Sequence, residues 1–232
     1  MAHINRKRPN TRLEIIQLGA KLFIEEGYAR TTMKRISTAL DLSPGNITFY
    51  FPTKEHLLAV LVNELFDFQD LLMQRATEET GKSLLAYCLE LTTITAACEQ
   101  NDVVREFYQT AYALESTLSL IRENDTKKTM AIFADYCPDW NEERWIATEN
   151  IVSGIEYATI MTRESQTPLA VQIERALDTI MTIYQVPEET RKSKIQKVLA
   201  MDYRAMGKRI LAQFRTYIEK VNEENLKPYT SK

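Results

Sequence analysis

Turn chemistry constrains this chain more than any other feature. It carries six glycines in 232 residues and no Asn-Gly or Asp-Gly pair. Average usage is about 7% glycine. Tight β-hairpins draw on such residues to reach positive φ, so a sheet built from hairpins lacks its corners here. Helix starts and stops are plentiful instead, and the reading is an all-α chain.

The first helix is predicted at about 12–26. Thr11-Arg12-Leu13-Glu14 has the form of a capping box. Ile15, Ile16, Gly19, Leu22 and Phe23 then repeat at helical spacing, and Gly27 supplies a stop. Thr31-Thr32 caps a second helix carrying Met33, Ile36 and Leu40. Asp41-Leu42-Ser43 makes a three-residue turn. Ser43 is a good N-cap, and Pro44 fits the first helical position, where a missing N–H costs nothing. The third helix runs from Pro44 to Phe51, and Thr53 caps a long fourth. Further helices are expected near 82–99, 102–114, 116–136, 142–165, 168–184 and 188–224, with Asp139-Trp140-Asn141-Glu142 as another possible capping box.

Charge is unevenly shared. Residues 1–54 hold nine Lys and Arg against four Asp and Glu, a net of +5. Residues 55–232 hold 20 basic and 28 acidic residues, a net of −8. A basic head on an acidic body suits contact with a polyanion, although a basic tail with ordinary surface scatter reads the same way. The three cysteines, Cys88, Cys98 and Cys137, lack metal-ligand spacing and are read as reduced thiols of a cytosolic protein. No apolar run is long enough for a membrane span, and no secretory signal is expected.

Two short helices joined by a tight turn form a helix-turn-helix, whose second helix lies in a major groove. Ile36 and Leu40 are placed to pack on Ile47 and Phe51, with Leu42 in the corner. The start of the third helix then presents Ser43, Gly45, Asn46, Thr48, Phe49 and Tyr50. Its free N–H groups and positive dipole end suit a phosphate. Gly45 has no side chain to hold a DNA backbone away, and Asn46 suits a base edge. Tyr50 and Lys54 reach flanking phosphates, although Tyr50-Phe51 also reads as packing between helices. Arg6, Lys7 and Arg8 are either a free tail or an arm for a minor groove.

The run EEGYARTTMKRISTALDLSPGNITFYFPTKEHLL resembles the DNA-binding domain of the TetR family of bacterial transcriptional regulators. The likeness covers about residues 10–65. It rests on Gly27-Tyr28, Thr32, Ile36, Ser43, Gly45, Tyr50-Phe51 and Lys54-Glu55. The resemblance implies a homodimer with an N-terminal DNA-binding domain and a larger helical regulatory domain. It implies a four-helix dimer interface from the last two large helices of each subunit. A small molecule entering the regulatory domain would shift the spacing of the heads and release the operator. By match of position, Thr32, Tyr50 and Lys54 hold phosphates, and Pro44 to Phe49 face the groove. Thr48 and Phe49 depart from the family's usual Tyr and polar residue, so base specificity does not transfer.

The expectation is a DNA-binding domain at 1–54 and a ligand-binding and dimerisation domain at 55–232. The function expected is a repressor that binds a palindromic duplex operator as a homodimer. An activator of the same fold, and a helical ligand-binding or adaptor protein whose head no longer reads DNA, are the rivals. Effector contacts are expected from Tyr87, Phe107, Tyr108, Tyr112, Phe133, Trp145, Asn150 and Tyr157. Asn150 reads as a polar residue in the apolar stripe Asn150, Gly154, Tyr157 and Met161, as a pocket uses to orient its ligand. The aromatic and methionine content points to an apolar or amphipathic effector. No catalytic set, cofactor or metal is expected, since no Ser-His-Asp set, HExxH, phosphate-binding loop or dinucleotide fingerprint is present.

Overall fold

The computed structural model describes residues 10–78, 83–163 and 167–221. Among these the chain is all-α. The head contains α1 (Thr11–Glu26), α2 (Met33–Ala39) and α3 (Pro44–Tyr50), and α4 (Lys54–Thr77) runs from it into the body. The body adds α5 (Leu84–Gln100), α6 (Asp102–Ala113), α7 (Glu115–Phe133), α8 (Glu142–Ile160), α9 (Leu169–Ile183), α10 (Glu188–Leu199) and α11 (Tyr203–Lys220). A short 3₁₀ turn, Ala134–Tyr136, follows α7. No described helix is long and apolar enough to cross a membrane.

The start signals act largely as the sequence dictates. Thr32, Ser43, Thr53, Ser83, Asn101, Asn141 and Asp202 each accept a hydrogen bond from a main-chain N–H in the first turn of the helix they open. That satisfies donors the helix itself cannot. The capping box read at Thr11 is corrected. Thr11 lies inside α1, and Asn10 precedes it without a side-chain cap bond. The single helix expected over 188–224 is also corrected, because it is two helices. Asp202 breaks it by accepting from the N–H of Ala205 at 3.1 Å, a local bond that competes with helix continuation. The final residues of that expected helix, 222–224, lie outside the described residues, as do His3 and the basic residues Arg6, Lys7 and Arg8.

α5 is the centre of the body. Every residue from Leu84 to Cys98 is buried, and α4, α6, α8, α9, α10 and α11 all pack on it. The hydroxyls of Thr92 and Thr95 donate back to the carbonyls of Cys88 and Leu91, each at 2.7 Å, so these polar groups enter the core paired. Cys88, Cys98 and Cys137 are free and buried. α11 crosses α5 so closely that a Cβ on Gly207 would stand 2.8 Å from the Ala97 nitrogen. A Gly207→Ala substitution therefore forces two backbones apart. It should lower stability by about 1–3 kcal/mol even though alanine is the better helix former. Urea denaturation of the variant against the parent measures this.

Candidate nucleic-acid interface and effector cavity

Local bonds fix the helix-turn-helix before any tertiary contact is counted. After α2, Asp41 takes a left-handed backbone, φ 53°, and the Leu42 N–H donates to the Ser37 carbonyl at 2.8 Å. Aspartate tolerates that region better than most residues. Ser43 then accepts from the Asn46 N–H at 3.2 Å, with Pro44 at the first helical position. Ile36, Ile47 and Phe51 are buried together in the core, with Leu40 and Leu42 packed partly against it.

What remains outside is the α3 surface. Ser43, Pro44, Gly45, Thr48 and Phe49 are exposed, and Asn46 and Tyr50 are half-buried. Phe49 is 74% exposed, its ring edge-on to Tyr50 at 5.1 Å. The exposed Thr48 donates its hydroxyl to the Pro44 carbonyl at 2.9 Å.

Lys54 has a role inside the head that the sequence reading missed. Its Nζ donates to the carbonyls of Tyr28 (2.8 Å) and Thr31 (2.9 Å) and lies 3.9 Å from the centre of the Tyr28 ring. It ties the loop between α1 and α2 to the start of α4. Desolvation lowers the pKa of this ammonium, and Glu106 opposes that shift. Two of its three protons serve the head, so one is available to a phosphate. Thr32 is likewise engaged, accepting from the Arg35 N–H at 3.1 Å.

The same loop meets the body. The Ala29 N–H donates to Glu106 Oε1 of α6 at 2.6 Å. Gly27 takes φ 92°, and a Cβ there would stand 2.4 Å from Glu106 Oε2. Glycine is needed at this position for its dihedral.

The next turns of α6 line a cavity. Phe107, Tyr108, Ala111 and Tyr112 form one wall, and Val62, Leu65 and Gln69 of α4, Tyr87, Glu90 and Leu91 of α5, Asp125 and Lys128 of α7, and Glu156 of α8 form the others. It offers about 60 Å³ to the centres of water molecules. That is room for a few waters at about 10–15 Å³ each, so a larger occupant would have to push the walls apart. Gln69 donates to the Tyr108 hydroxyl at 2.8 Å.

Of the eight effector contacts expected, Tyr87, Phe107, Tyr108 and Tyr112 line this cavity, and the other four do not. Phe133 and Trp145 belong to an aromatic stack with Tyr184 at 4.2 and 5.8 Å, outside the lining. Tyr157 packs behind Tyr112, ring centres 5.4 Å apart. Asn150 is exposed, which corrects its reading as a buried orienting group. The buried face of α8 is one residue out of phase with the stripe that was read. It carries Trp145, Glu149, Val152, Ser153 and Glu156.

Glutamates on that face were not anticipated, because acidic side chains are normally assigned to water. Glu156 Oε1 accepts from the Tyr87 hydroxyl at 2.8 Å, and Glu149 Oε2 accepts from the Tyr184 hydroxyl at 2.9 Å. With Asp125 they form a cluster in which each offers an oxygen within 4.8 Å of the others. Burial, with carboxylate neighbours adding to it, raises the pKa of Glu156 to about 8. Burial likewise raises those of Asp125 and Glu149.

Residues 15–61 match the family model of bacterial regulatory proteins of the tetR family. An uncharacterised HTH-type transcriptional regulator of Bacillus subtilis (strain 168), YuxN, is 38% identical over 53 residues. That stretch covers 23% of this chain and 18% of the relative, so the match spans less than a fifth of the relative's length. Among solved structures, a γ-butyrolactone receptor (ArpA-like protein) is 18% identical, over 88% of this chain and 98% of its own, with a TM-score of 0.43. GusR of Salmonella enterica is 18% identical, over 83% and 98%, with a TM-score of 0.42.

The acid cluster makes stability depend on pH. A Glu156 carboxyl that keeps its proton up to about pH 8 when folded, against 4.5 for an ordinary carboxyl, favours the folded state at low pH. That contribution is complete below about 4.5 and is lost as pH rises through 8. The Glu156→Gln variant cannot lose a proton and should melt above the parent at pH 8. The advantage should shrink toward pH 4.5; a constant difference across melting curves in that range would contradict the assignment.

Proposed function

From a head that is a helix-turn-helix domain of the TetR family of bacterial regulators, we propose that this chain is a transcriptional repressor. It binds duplex DNA as a homodimer and is released by a small molecule. The DNA-binding domain is residues 1–54 and the effector and dimer domain residues 55–232. The observation that carries the reading is the exposed α3 surface, from Ser43 to Phe49, on a head whose internal contacts are already satisfied. In this reading α3 enters the major groove. Asn46 pairs with a base edge, and Thr48 and Phe49 give apolar contacts such as a thymine methyl accepts. Ser43, Gly45, Tyr50, Thr32 and the remaining proton of Lys54 hold the phosphates that set position and dominate affinity. The work is binding, not catalysis, and its place is the cytoplasm, where the DNA is.

The dimer forms through α8 and α9. Ala147, Ile151, Gly154 and Ala158 are exposed and recur at spacings of four, three and four, one stripe along α8. Ile151 is 63% exposed, nothing lies within 4 Å of a Cβ built on Gly154, and Gln172, Arg175 and Thr179 of α9 border the same surface. Small residues between exposed aliphatics let two helices approach closely. Two copies related by a two-fold axis then call for an inverted-repeat operator.

Release follows from α6. One turn of this helix holds the head through Glu106, and the adjacent residues wall the cavity. A molecule entering the cavity has to displace Phe107, Tyr108 or Tyr112 and so moves the group that anchors Ala29. It shifts the heads only in so far as it binds the displaced arrangement better.

Selection of random duplex DNA by the purified protein, followed by sequencing, tests this reading. An inverted repeat should be enriched, its affinity falling steeply with salt. The Ile151→Glu variant should sediment as a monomer and lose the enrichment. A folded, dimeric parent that enriches nothing, after denaturation and refolding to strip any bound ligand, would refute the proposal.

A further inference from the structure

The cavity wall brings together two features that ordinarily repel each other. One side is aromatic, with Phe107, Tyr108 and Tyr112. The other is acidic. Asp125 and Glu156 line the cavity, and Glu149 stands behind them with an oxygen inside the same 4.8 Å cluster. Glu149 is 1% exposed, and its Oε1 is buried with no hydrogen-bond partner. The Asp125 side chain makes no hydrogen bond or ion pair with any described residue. Burying Glu149 and Glu156 beside a half-buried Asp125, with one Glu149 oxygen unpaired, is costly.

The neighbouring cations Arg122 and Lys128 favour the charged carboxylates, but burial outweighs them. Lys128 Nζ is held by Asp70 at 2.7 Å and by Glu90. Arg122 Nε donates to the Ser153 hydroxyl at 3.2 Å. The Tyr87 and Tyr184 hydroxyls already donate to Glu156 and Glu149, and the Tyr112 ring lines the cavity. Burial raises the pKa of all three carboxyl groups and so favours their protonated forms.

We infer that the effector is an organic cation, its positive centre seated against Asp125 and Glu156 with Glu149 behind, and its apolar body against Phe107, Tyr108 and Tyr112. This rests on the proposal that the cavity is an effector site and adds the chemical class of the occupant. The cation takes the place of the cluster's protons, and the aromatic faces supply the remaining attraction. A neutral apolar molecule of the same shape fits the aromatic wall but leaves the carboxyl groups without a partner. Discrimination between the two comes from the acidic side of the cavity.

Phenyltrimethylammonium and tert-butylbenzene have the same shape and differ in charge. Titration calorimetry of the whole protein should show the cation binding at least tenfold more tightly. Repeating the titration in buffers of different ionisation heat should show protons released on binding. Asp125→Asn and Glu156→Gln should each weaken the cation at least fivefold and leave tert-butylbenzene unchanged. Both substitutions keep side-chain shape, so melting at or above the parent temperature confirms that the variants fold. Equal affinity for the two compounds, no binding of either, or full cation affinity in both variants would overturn the inference. So would tight binding of Ca²⁺ or Mn²⁺ that Asp125→Asn abolishes while the organic cation shows no preference, since that result would make the cluster a metal centre. The titration contains no DNA, so its failure speaks against the cation alone. Failure of operator enrichment speaks against the regulator and leaves this result standing.

Discussion

A helix buried on every face has to be surrounded, and α5 sets the body of this molecule in that way. Its residues from Leu84 to Cys98 are all buried, and six other helices pack on it. α11 pays for its close approach with a glycine at position 207, and α6 is held to the end of α5 by Arg105, which donates to the Cys98 carbonyl at 3.0 Å. The cavity lies where the side chains of α5 and its neighbours do not quite meet, between Tyr87, Glu90 and Leu91 and the wall of α6.

α6 carries the consequences of that packing to the other end of the molecule. Held by Arg105 on the body side and by Glu106 on the head side, it has little freedom to move without disturbing one or the other. The loop it touches is itself rigid. Lys54 ties the Tyr28 and Thr31 carbonyls, and the Thr31 hydroxyl donates to the Gly27 carbonyl at 3.0 Å. A second contact between body and head runs through α11, where Gln17 of α1 donates to the Ile218 carbonyl at 3.2 Å. Besides α4, which runs into the body, the head is therefore seated on α6 and α11, and of these two α6 lines the cavity.

The head was legible in the sequence because its signals are local. Ser43 before Pro44, Thr53 before Lys54 and the apolar spacing of Ile36, Ile47 and Phe51 each act within a few residues, and the fold keeps them. Lys54 was legible as a conspicuous lysine but not as a clamp, since its partners lie 23 and 26 residues away. In the body, local signals gave the helices but not their faces. On α8 the aromatic and amide residues suggested one stripe, while Glu149 and Glu156 occupy the buried one. Only the arrangement of Tyr87, Tyr184 and Thr129 around those glutamates makes their burial tolerable, and no sequence period reports it. The break at Asp202 was missed for a related reason. The apolar stripe continues across it, and only the side-chain bond to Ala205 reveals the stop.

The central claim is that filling the cavity moves the head through the Glu106 contact. It is tested most directly by operator affinity in a set of three variants. Ala111 is buried on α6 and lines the cavity, so Ala111→Phe places bulk there without any ligand. The account predicts that Ala111→Phe, folded and dimeric, binds the operator at least tenfold more weakly. Adding Glu106→Ala to it should remove most of that loss, because the displaced helix no longer pulls on Ala29. Operator affinity unchanged by Ala111→Phe, or a loss that persists undiminished in the double variant relative to Glu106→Ala alone, would contradict it.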